Sequence, residues 1–378
     1  MSQPTFDVMV IGAGGMGSAT AFELARRGRS VLALEQFPLV HDGGSSHGQT
    51  RIIRRAYYEH PAYVPLVQRA FERWYDLEQR TGRHLLTECE CLSVGTPDGE
   101  VVTGVLASAR EHKLDVELFN VAALRNRFPQ FRISMDYCGV LERDAGFLYV
   151  EECVRANLDQ ARMLGATICA EEPVTGWASD GKSVTVTTTK GVYHAAALVL
   201  TAGPWAGRLL AGWGSPLRVM RQTMLWFGTT DNARFRRDVF PIFLADVPGG
   251  PFYGLPVIDG RGLKIARHYG APELNHPDEI DRAIRPEDEP PVRQFLDSYM
   301  PEVTGPLKFA QTCIYTLSPD RHFIINLHPQ HRNVAVATGF SGHGFKFASV
   351  VGEVLADLVE SGCTSWPIDM FNFPRLRS

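Results

Sequence analysis

Gly12-Ala13-Gly14-Gly15-Met16-Gly17 has the spacing Gly-x-Gly-x-x-Gly, whose chemistry belongs to the backbone. The first glycine permits a tight turn, the second brings N–H groups close to a pyrophosphate, and the third lets a helix pack closely on a strand. Glu35 stands where a carboxylate can accept the two hydroxyls of an adenosine ribose, and an acid there disfavours a 2′-phosphate. With its flanking elements the pattern points to a dinucleotide, against the plainer reading of a glycine-rich surface turn. The segment after Glu35 favours FAD over NAD. His41-Asp42-Gly43-Gly44-Ser45-Ser46-His47-Gly48-Gln49-Thr50 breaks the helix–strand alternation of an NAD domain and reads as a loop around a larger ligand. It leads into Arg51 and Arg54, which share one face if this stretch is helical. Two guanidinium groups beside a cofactor loop point to an anionic substrate or an electron-rich ring; the plainer alternative is a solvated basic face.

A second group of reactive side chains lies on a hairpin. The runs Phe252–Ile258 and Gly262–His268 flank Asp259-Gly260, a two-residue turn signal. If these two form the loop, Ile258 faces Arg261 and Tyr253 faces Ala266. Strand alternation then puts Tyr253, Lys264, Ala266 and His268 on one face and Leu263, Ile265 and Arg267 on the other. A phenol, an ammonium and an imidazole on one face resemble the lining of a polar cavity more than a core, the alternative being a solvent-facing strand. In the next strand, Gln311–Thr316, Cys313 and Tyr315 point the same way, although a lone strand cysteine is usually an inert small hydrophobe. After the strand Val334–Thr338, Gly339-Phe340-Ser341-Gly342-His343-Gly344 leads into a helix from about Phe345 to Glu360. A helix start suits negative charge, and Lys346 in its first turn calls for an anionic partner.

The elements that must position these groups are read from pattern. Phe6–Ile11 and Ser30–Leu34 are strands around a helix from Ser18 to Arg27 that closes at Gly28. Ala195–Thr201, ending in Ala202-Gly203-Pro204-Trp205, reads as a return to the same sheet, so the dinucleotide domain is expected to be discontinuous. From about Ser215 to Thr316, short strands rich in proline and glycine predict an antiparallel sheet that faces the substrate. The fold class is thus α/β plus α+β: a Rossmann-like FAD-binding domain of residues 1–85, 145–214 and 317–378, beside a mixed antiparallel-sheet substrate domain of residues 86–144 and 215–316.

With 378 residues the chain has length for two or three compact units. Lys plus Arg total 38 against 42 for Asp plus Glu, a formal charge of −4 that argues against a nucleic-acid partner. No apolar run reaches the ~18–20 residues of a membrane helix. Seven cysteines, an odd number without zinc-like spacing, argue against a structural metal and for a reducing cytoplasm. The start is too short and acidic for a signal peptide, and the end, Arg375-Leu376-Arg377-Ser378, lacks a peroxisomal tripeptide.

Over nearly its whole length the chain resembles the monomeric sarcosine oxidase and N-methyltryptophan oxidase family, flavoenzymes of the D-amino-acid-oxidase superfamily. The resemblance rests on the glycine motif, Ser46–Arg54, Tyr253-Gly254-Leu255-Pro256 with Lys264 and His268, Cys313–Thr316 with Pro319-Asp320, and Gly339–Phe347. It implies FAD joined through its 8α-methyl group to the Cys313 sulfur. It further implies a substrate carboxylate held by Arg54 and Lys346, and oxygen activation at Lys264. His268, Tyr253, Tyr315, Thr50, Arg51 and His47 fall at matching active-site positions. The implied cofactor contacts are Gly12, Gly14, Gly15, Met16, Gly17, Glu35, Ser45, Thr50, Arg51, Val174, Gly203, Trp205, Cys313, Gly342, Gly344, Phe345 and Lys346. The implied reaction converts a small secondary amino acid, sarcosine foremost, with oxygen and water to glycine, formaldehyde and hydrogen peroxide, in a monomer without membrane or metal. Two positions depart from the family: Ser46 replaces a frequent histidine and Leu244 a methionine near the substrate. N-methyltryptophan, pipecolate or proline therefore stay open as substrates. A flavin dehydrogenase that passes electrons to another acceptor and a non-catalytic dinucleotide sensor are the competing classes.

Overall fold

A computed structural model of the chain describes residues 5–210 and 217–372. The expected domain boundary at 214–215 and the C-terminal Arg375–Ser378 lie outside the described residues. Thr5–Ile11 runs parallel to Val31–Leu34 on one side (Val8↔Val31) and to Val192–Leu200 on the other (Val8↔Ala197). Covered on both faces, it has no polar side to show, and Val8–Ile11 is a continuous buried run. His331–Thr338 extends the parallel array beyond Val192–Leu200 (Val199↔Ala335). The return of the chain to the first sheet, expected from Ala195–Thr201, is therefore observed.

Both glycine-rich turns leave the C-terminal ends of parallel strands, Thr5–Ile11 and His331–Thr338, on either side of Val192–Leu200. Their helices, Gly15–Arg26 and Ala348–Ser361, pack on each other closely enough that a Cβ on Gly352 would come within 2.7 Å of the Ala19 backbone. The first helix starts three residues earlier than expected, and the last is preceded by a tighter turn, Phe345–Phe347. The two helix starts thus converge on one crevice, the usual ligand position in an open parallel sheet.

The second sheet has nine strands and is antiparallel except where Ile242–Val247 runs parallel to Cys91–Gly95. Its hairpin has the expected register, Tyr253↔Ala266 and Leu255↔Lys264. Pairing stops at Leu255 and resumes at Leu263, so the loop is wider than two residues. Pro256 lacks an N–H for the ladder, and Gly262, at φ +98°, carries its missing Cβ against the Phe227 carbonyl. Leu263 and Ile265 enter an aromatic core with Phe243, Phe252 and Phe295, leaving Lys264 and Ala266 to the opposite face.

One conditional expectation is corrected. The stretch carrying Arg51 is a strand, Thr50–Ile53, paired with Gly146–Tyr149 (Arg51↔Leu148). β-Branched Thr50, Ile52 and Ile53 suit a pleated surface. Arg51 and Arg54 consequently do not share a helix face, and their guanidinium groups go to different places. Among the described residues no helix is long and apolar enough to cross a membrane, and no three His, Cys, Asp or Glu side chains gather to hold a metal.

Candidate active site

The crevice between the two glycine turns is a cavity of about 550 Å³. Its walls carry Gly12, Gly14, Gly15, Met16, Glu35, Ser45, Arg51, Val174, Gly203 and Trp205 at one end and along its length. Cys313, Gly342, Gly344 and Phe345 line it as well. Three expected cofactor residues do not. Gly17 works in packing, since a Cβ there would lie 1.7 Å from the Gly12 carbonyl oxygen. Thr50 and Lys346 also lie off this cavity. Gly12, at φ +91°, would bring a Cβ within 2.5 Å of the Thr201 oxygen. Glu35 faces the cavity while accepting the Ala13 N–H at 2.9 Å, so one carboxylate also holds the glycine loop. Ser46 shapes this cavity and not the substrate end: its Oγ accepts the Gly15 N–H at 3.0 Å. A glycine cradle of this length fits a dinucleotide. One buried polar atom in its wall, the Thr338 hydroxyl, finds no hydrogen-bond partner among the described residues.

Cys313 is buried, and its Sγ lies 3.2 Å from Arg51 Nη2. Burial alone would raise the thiol, but the Arg51 guanidinium and the adjacent His47 outweigh it and bring it down to about 6. A thiolate at neutral pH is a nucleophile. Arg51 is itself held by the Ser45 and Thr50 carbonyls at 3.1 and 2.9 Å, so the polar loop and the strand after it orient the cation.

A second, smaller cavity of about 60 Å³ adjoins the first and shares Arg51, Tyr315, Gly342 and Phe345 with it. Its other walls include Arg54, Tyr58, Glu59, Leu244, Tyr253, His268, His343 and Lys346. Arg54 is buried between the Tyr57 and Tyr58 rings, 4.3 and 4.8 Å from their centroids. Its Nη1 donates to the Ala56 carbonyl at 3.0 Å and its Nη2 to Glu59 Oε2 at 2.6 Å. Burial works against both charges of this pair; their mutual attraction nevertheless holds Glu59 down at about 2 and Arg54 above its ordinary value. Lys346 donates to the His343 carbonyl at 2.7 Å and to the Tyr57 hydroxyl at 3.4 Å. Burial, with Arg54 nearby, lowers it to about 7. The pair expected to meet a carboxylate is therefore together, with a carboxylate of the chain itself already on Arg54.

His268 Nδ1 and the Tyr315 hydroxyl lie 3.1 Å apart. Burial lowers His268 to about 3 and raises Tyr253 and Tyr315, so this wall is uncharged at neutral pH. Lys264 is the exception to the expected cluster. It lines neither cavity; its Nζ donates to the Gly48 and Thr50 carbonyls at 2.7 and 2.9 Å, beneath the cofactor loop and 5.0 Å from the Trp226 ring centroid. Burial and Arg51 both push its pKa well down. His47 and Thr50 likewise line neither cavity.

Sequence reasoning missed Tyr57, Tyr58, Glu59 and His343 as site residues. The one signal for Glu59 was an acid five positions after Arg54, and nothing in local spacing directs it inward.

A glycine cradle, a buried cysteine beside Arg51 in its wall and a cationic side pocket agree with what comparison finds: residues 7–358 match the family described as FAD-dependent oxidoreductase. The chain belongs to that family. This flavoprotein oxidoreductase is 42% identical to a monomeric sarcosine oxidase of Streptomyces avermitilis, covering 99% of this chain and 98% of that one. It is 40% identical to another from Arthrobacter sp., over 98% of this chain and 96% of that one. An N-methyl-L-tryptophan oxidase of Salmonella typhimurium is 34% identical over 98% and 99% of the two chains. Among solved structures, NikD, described as an unusual amino acid oxidase essential for nikkomycin biosynthesis, superposes with a TM-score of 0.84 at 26% identity, covering 97% of each chain. The L-proline dehydrogenase of P. horikoshii, at 22% identity and a TM-score of 0.84 over 98% and 97% of the two chains, shares the fold.

Proposed function

We propose that this protein is a monomeric, cytoplasmic oxidase of small secondary amino acids, sarcosine foremost, with FAD joined covalently to Cys313. The observation that carries this reading is the pairing of cavities: two buried cations, Arg54 and Lys346, at one side of a small chamber whose other side opens on the cofactor crevice through Arg51, Tyr315, Gly342 and Phe345. When bound, FAD supplies the two-electron acceptor for C–H oxidation. The chain's own residues do the rest. Arg54 takes the substrate carboxylate on its fork and Lys346 adds a second positive charge, which fixes the amine end toward the crevice and replaces random encounter by orientation.

The chamber's one carboxylate, Glu59, is paired with Arg54, so a substrate amine beside Arg51 and the neutral wall meets no free anion, which disfavours the ammonium form and lets its proton leave before oxidation. His268, Tyr253 and Tyr315, all neutral, offer hydrogen bonds to the nitrogen without adding charge. Leu244 bounds the chamber on the apolar side. At Lys264, three oxygen atoms of Gly48 and Thr50 fix the amine beneath the cofactor loop, while burial and Arg51 lower its pKa. A proton held on it during reoxidation stabilises charge developing on oxygen. The Arg51-activated Cys313 sulfur is the attachment point. The small chamber favours sarcosine over N-methyltryptophan.

The test is the visible spectrum of the purified protein under anaerobic conditions before and after sarcosine, followed by admission of air. Bleaching, then recovery with peroxide, supports the reading. An unchanged spectrum with sarcosine and bleaching with pipecolate, proline or N-methyltryptophan reassigns the substrate. Reduction without peroxide on aeration removes oxygen as the acceptor, and no reduction by any amine removes the enzymatic reading.

A further inference from the structure

Arg54 does not hold its own position. Its Nη1 donates to the Ala56 carbonyl, so the guanidinium is placed by the turn just after it, and what fixes that turn fixes the carboxylate site. The turn is anchored from the second sheet. Glu142, at the end of the strand Cys138–Glu142 and 5% exposed, accepts the Arg55 N–H on Oε1 at 2.6 Å and the Ala56 N–H on Oε2 at 2.9 Å. Two further contacts press the same turn onto the helix Glu100–His112. Ser108 Oγ donates to the Tyr57 carbonyl at 2.5 Å, and a Cβ on Gly104 would lie 2.1 Å from the Tyr58 oxygen.

A buried carboxylate is costly unless its charge is used. Among the described residues Glu142 meets no cationic side chain directly, and it lines neither cavity. What suits a carboxylate here is geometry: two successive N–H groups converge on it, one on each oxygen, and a carboxylate accepts on both sides. An amide would accept one N–H and turn its own N–H₂ toward the other.

We propose that Glu142 is a positioning residue for substrate recognition: by clamping the Arg55 and Ala56 N–H groups it sets the Ala56 carbonyl, and through it the Arg54 guanidinium, for the incoming carboxylate. This rests on the reading that Arg54 receives that carboxylate. Glu142 acts through Arg54 and touches neither substrate nor cofactor. Its loss therefore weakens ligands that carry a carboxylate and spares those that do not.

The experiment measures the Kd of methoxyacetate, a carboxylate without an oxidisable amine, from the perturbed visible spectrum of the FAD-loaded holoenzyme. It compares wild type, Glu142→Gln, Arg54→Lys and the double variant, with sarcosine and sarcosinamide as the substrate pair. The expected result for Glu142→Gln is a methoxyacetate Kd raised about tenfold, the loss of one charge-assisted hydrogen bond. The KM for sarcosine should rise likewise, with kcat, flavin content and the constants for sarcosinamide little changed. In the Arg54→Lys background, where the fork onto Ala56 is gone, the same substitution should add less than about twofold, the non-additivity expected of coupled residues. An unchanged Kd, an equal loss in both backgrounds, or an equal loss for sarcosinamide overturns the positioning role. If Glu142→Gln does not retain flavin, Glu142→Asp is judged by the same criteria, with a smaller loss expected. A wild type that binds no carboxylate overturns the reading of Arg54 and this inference with it, which separates the two failures.

Discussion

Glu59→Gln probes the ion pair that occupies Arg54. Arg54 Nη2 and Glu59 Oε2 are 2.6 Å apart, with side chains only 4% and 12% exposed, so an incoming carboxylate must take the guanidinium from one already there. A hydrogen bond to a charged group nets about 1.5–3 kcal/mol. Glutamine keeps a bond to the Arg54 cation but loses its own charge, moving from the upper toward the lower end of that range, so competition weakens by about 1–1.5 kcal/mol, or about 5–13-fold in Kd. One effect runs the other way: Glu59 raises the pKa of Lys346, and its removal leaves that ammonium less charged. Repeating the comparison in the Lys346→Met background removes this opposing effect and isolates the competition. Titration of the oxidised holoenzyme with methoxyacetate, followed in the visible band, gives the constant. Binding to Glu59→Gln that is equal to or weaker than wild type would refute the argument that the chain's own carboxylate competes for Arg54.

Lys346 also predicts a pH dependence. Only its ammonium attracts an anion, so methoxyacetate affinity should be flat below about pH 6 and fall as pH rises through about 7, by at most about tenfold per unit. His268 at about 3 and Glu59 at about 2 do not titrate there, so the break should vanish in Lys346→Met. Acid precipitation should leave flavin in the wild-type pellet and release it from Cys313→Ser; flavin retained by the variant would place the link elsewhere. Arg51→Gln should return the Cys313 thiol from about 6 toward its ordinary range, slowing flavin attachment to apoprotein at pH 7 by up to about 30-fold through loss of thiolate. Lys264→Met should slow reoxidation in stopped flow far more than anaerobic reduction, and equal slowing would remove its part in the oxygen step.

The glycine motif, Glu35 and the crevice at the ends of parallel strands were legible because they are local. Glycine spacing sets backbone conformation, and a run such as Val8–Ile11 has one way to bury both faces. The hairpin register was legible for the same reason, since a turn signal and period-two alternation suffice to oppose Tyr253 and Ala266. The strand at Arg51 was less so. Its residues suit a sheet, but only the partner Gly146–Tyr149, nearly a hundred positions away, decides that it is one.

By itself the sequence determined which chemical groups are present and which backbone turns they flank: a dinucleotide cradle, a strand cysteine, and cations before and after the second glycine turn. Tertiary structure alone decided their charge state and orientation. Cys313 becomes acidic because folding brings Arg51 against it from 262 positions away. Lys264 leaves the cavity its face pointed toward because the Gly48 and Thr50 carbonyls draw it under the loop. Glu59 and Glu142, unremarkable in the chain, become parts of the Arg54 site because burial makes a lone charge or an unpaired N–H costly, and each must be answered by whichever group the packing brings within hydrogen-bond reach.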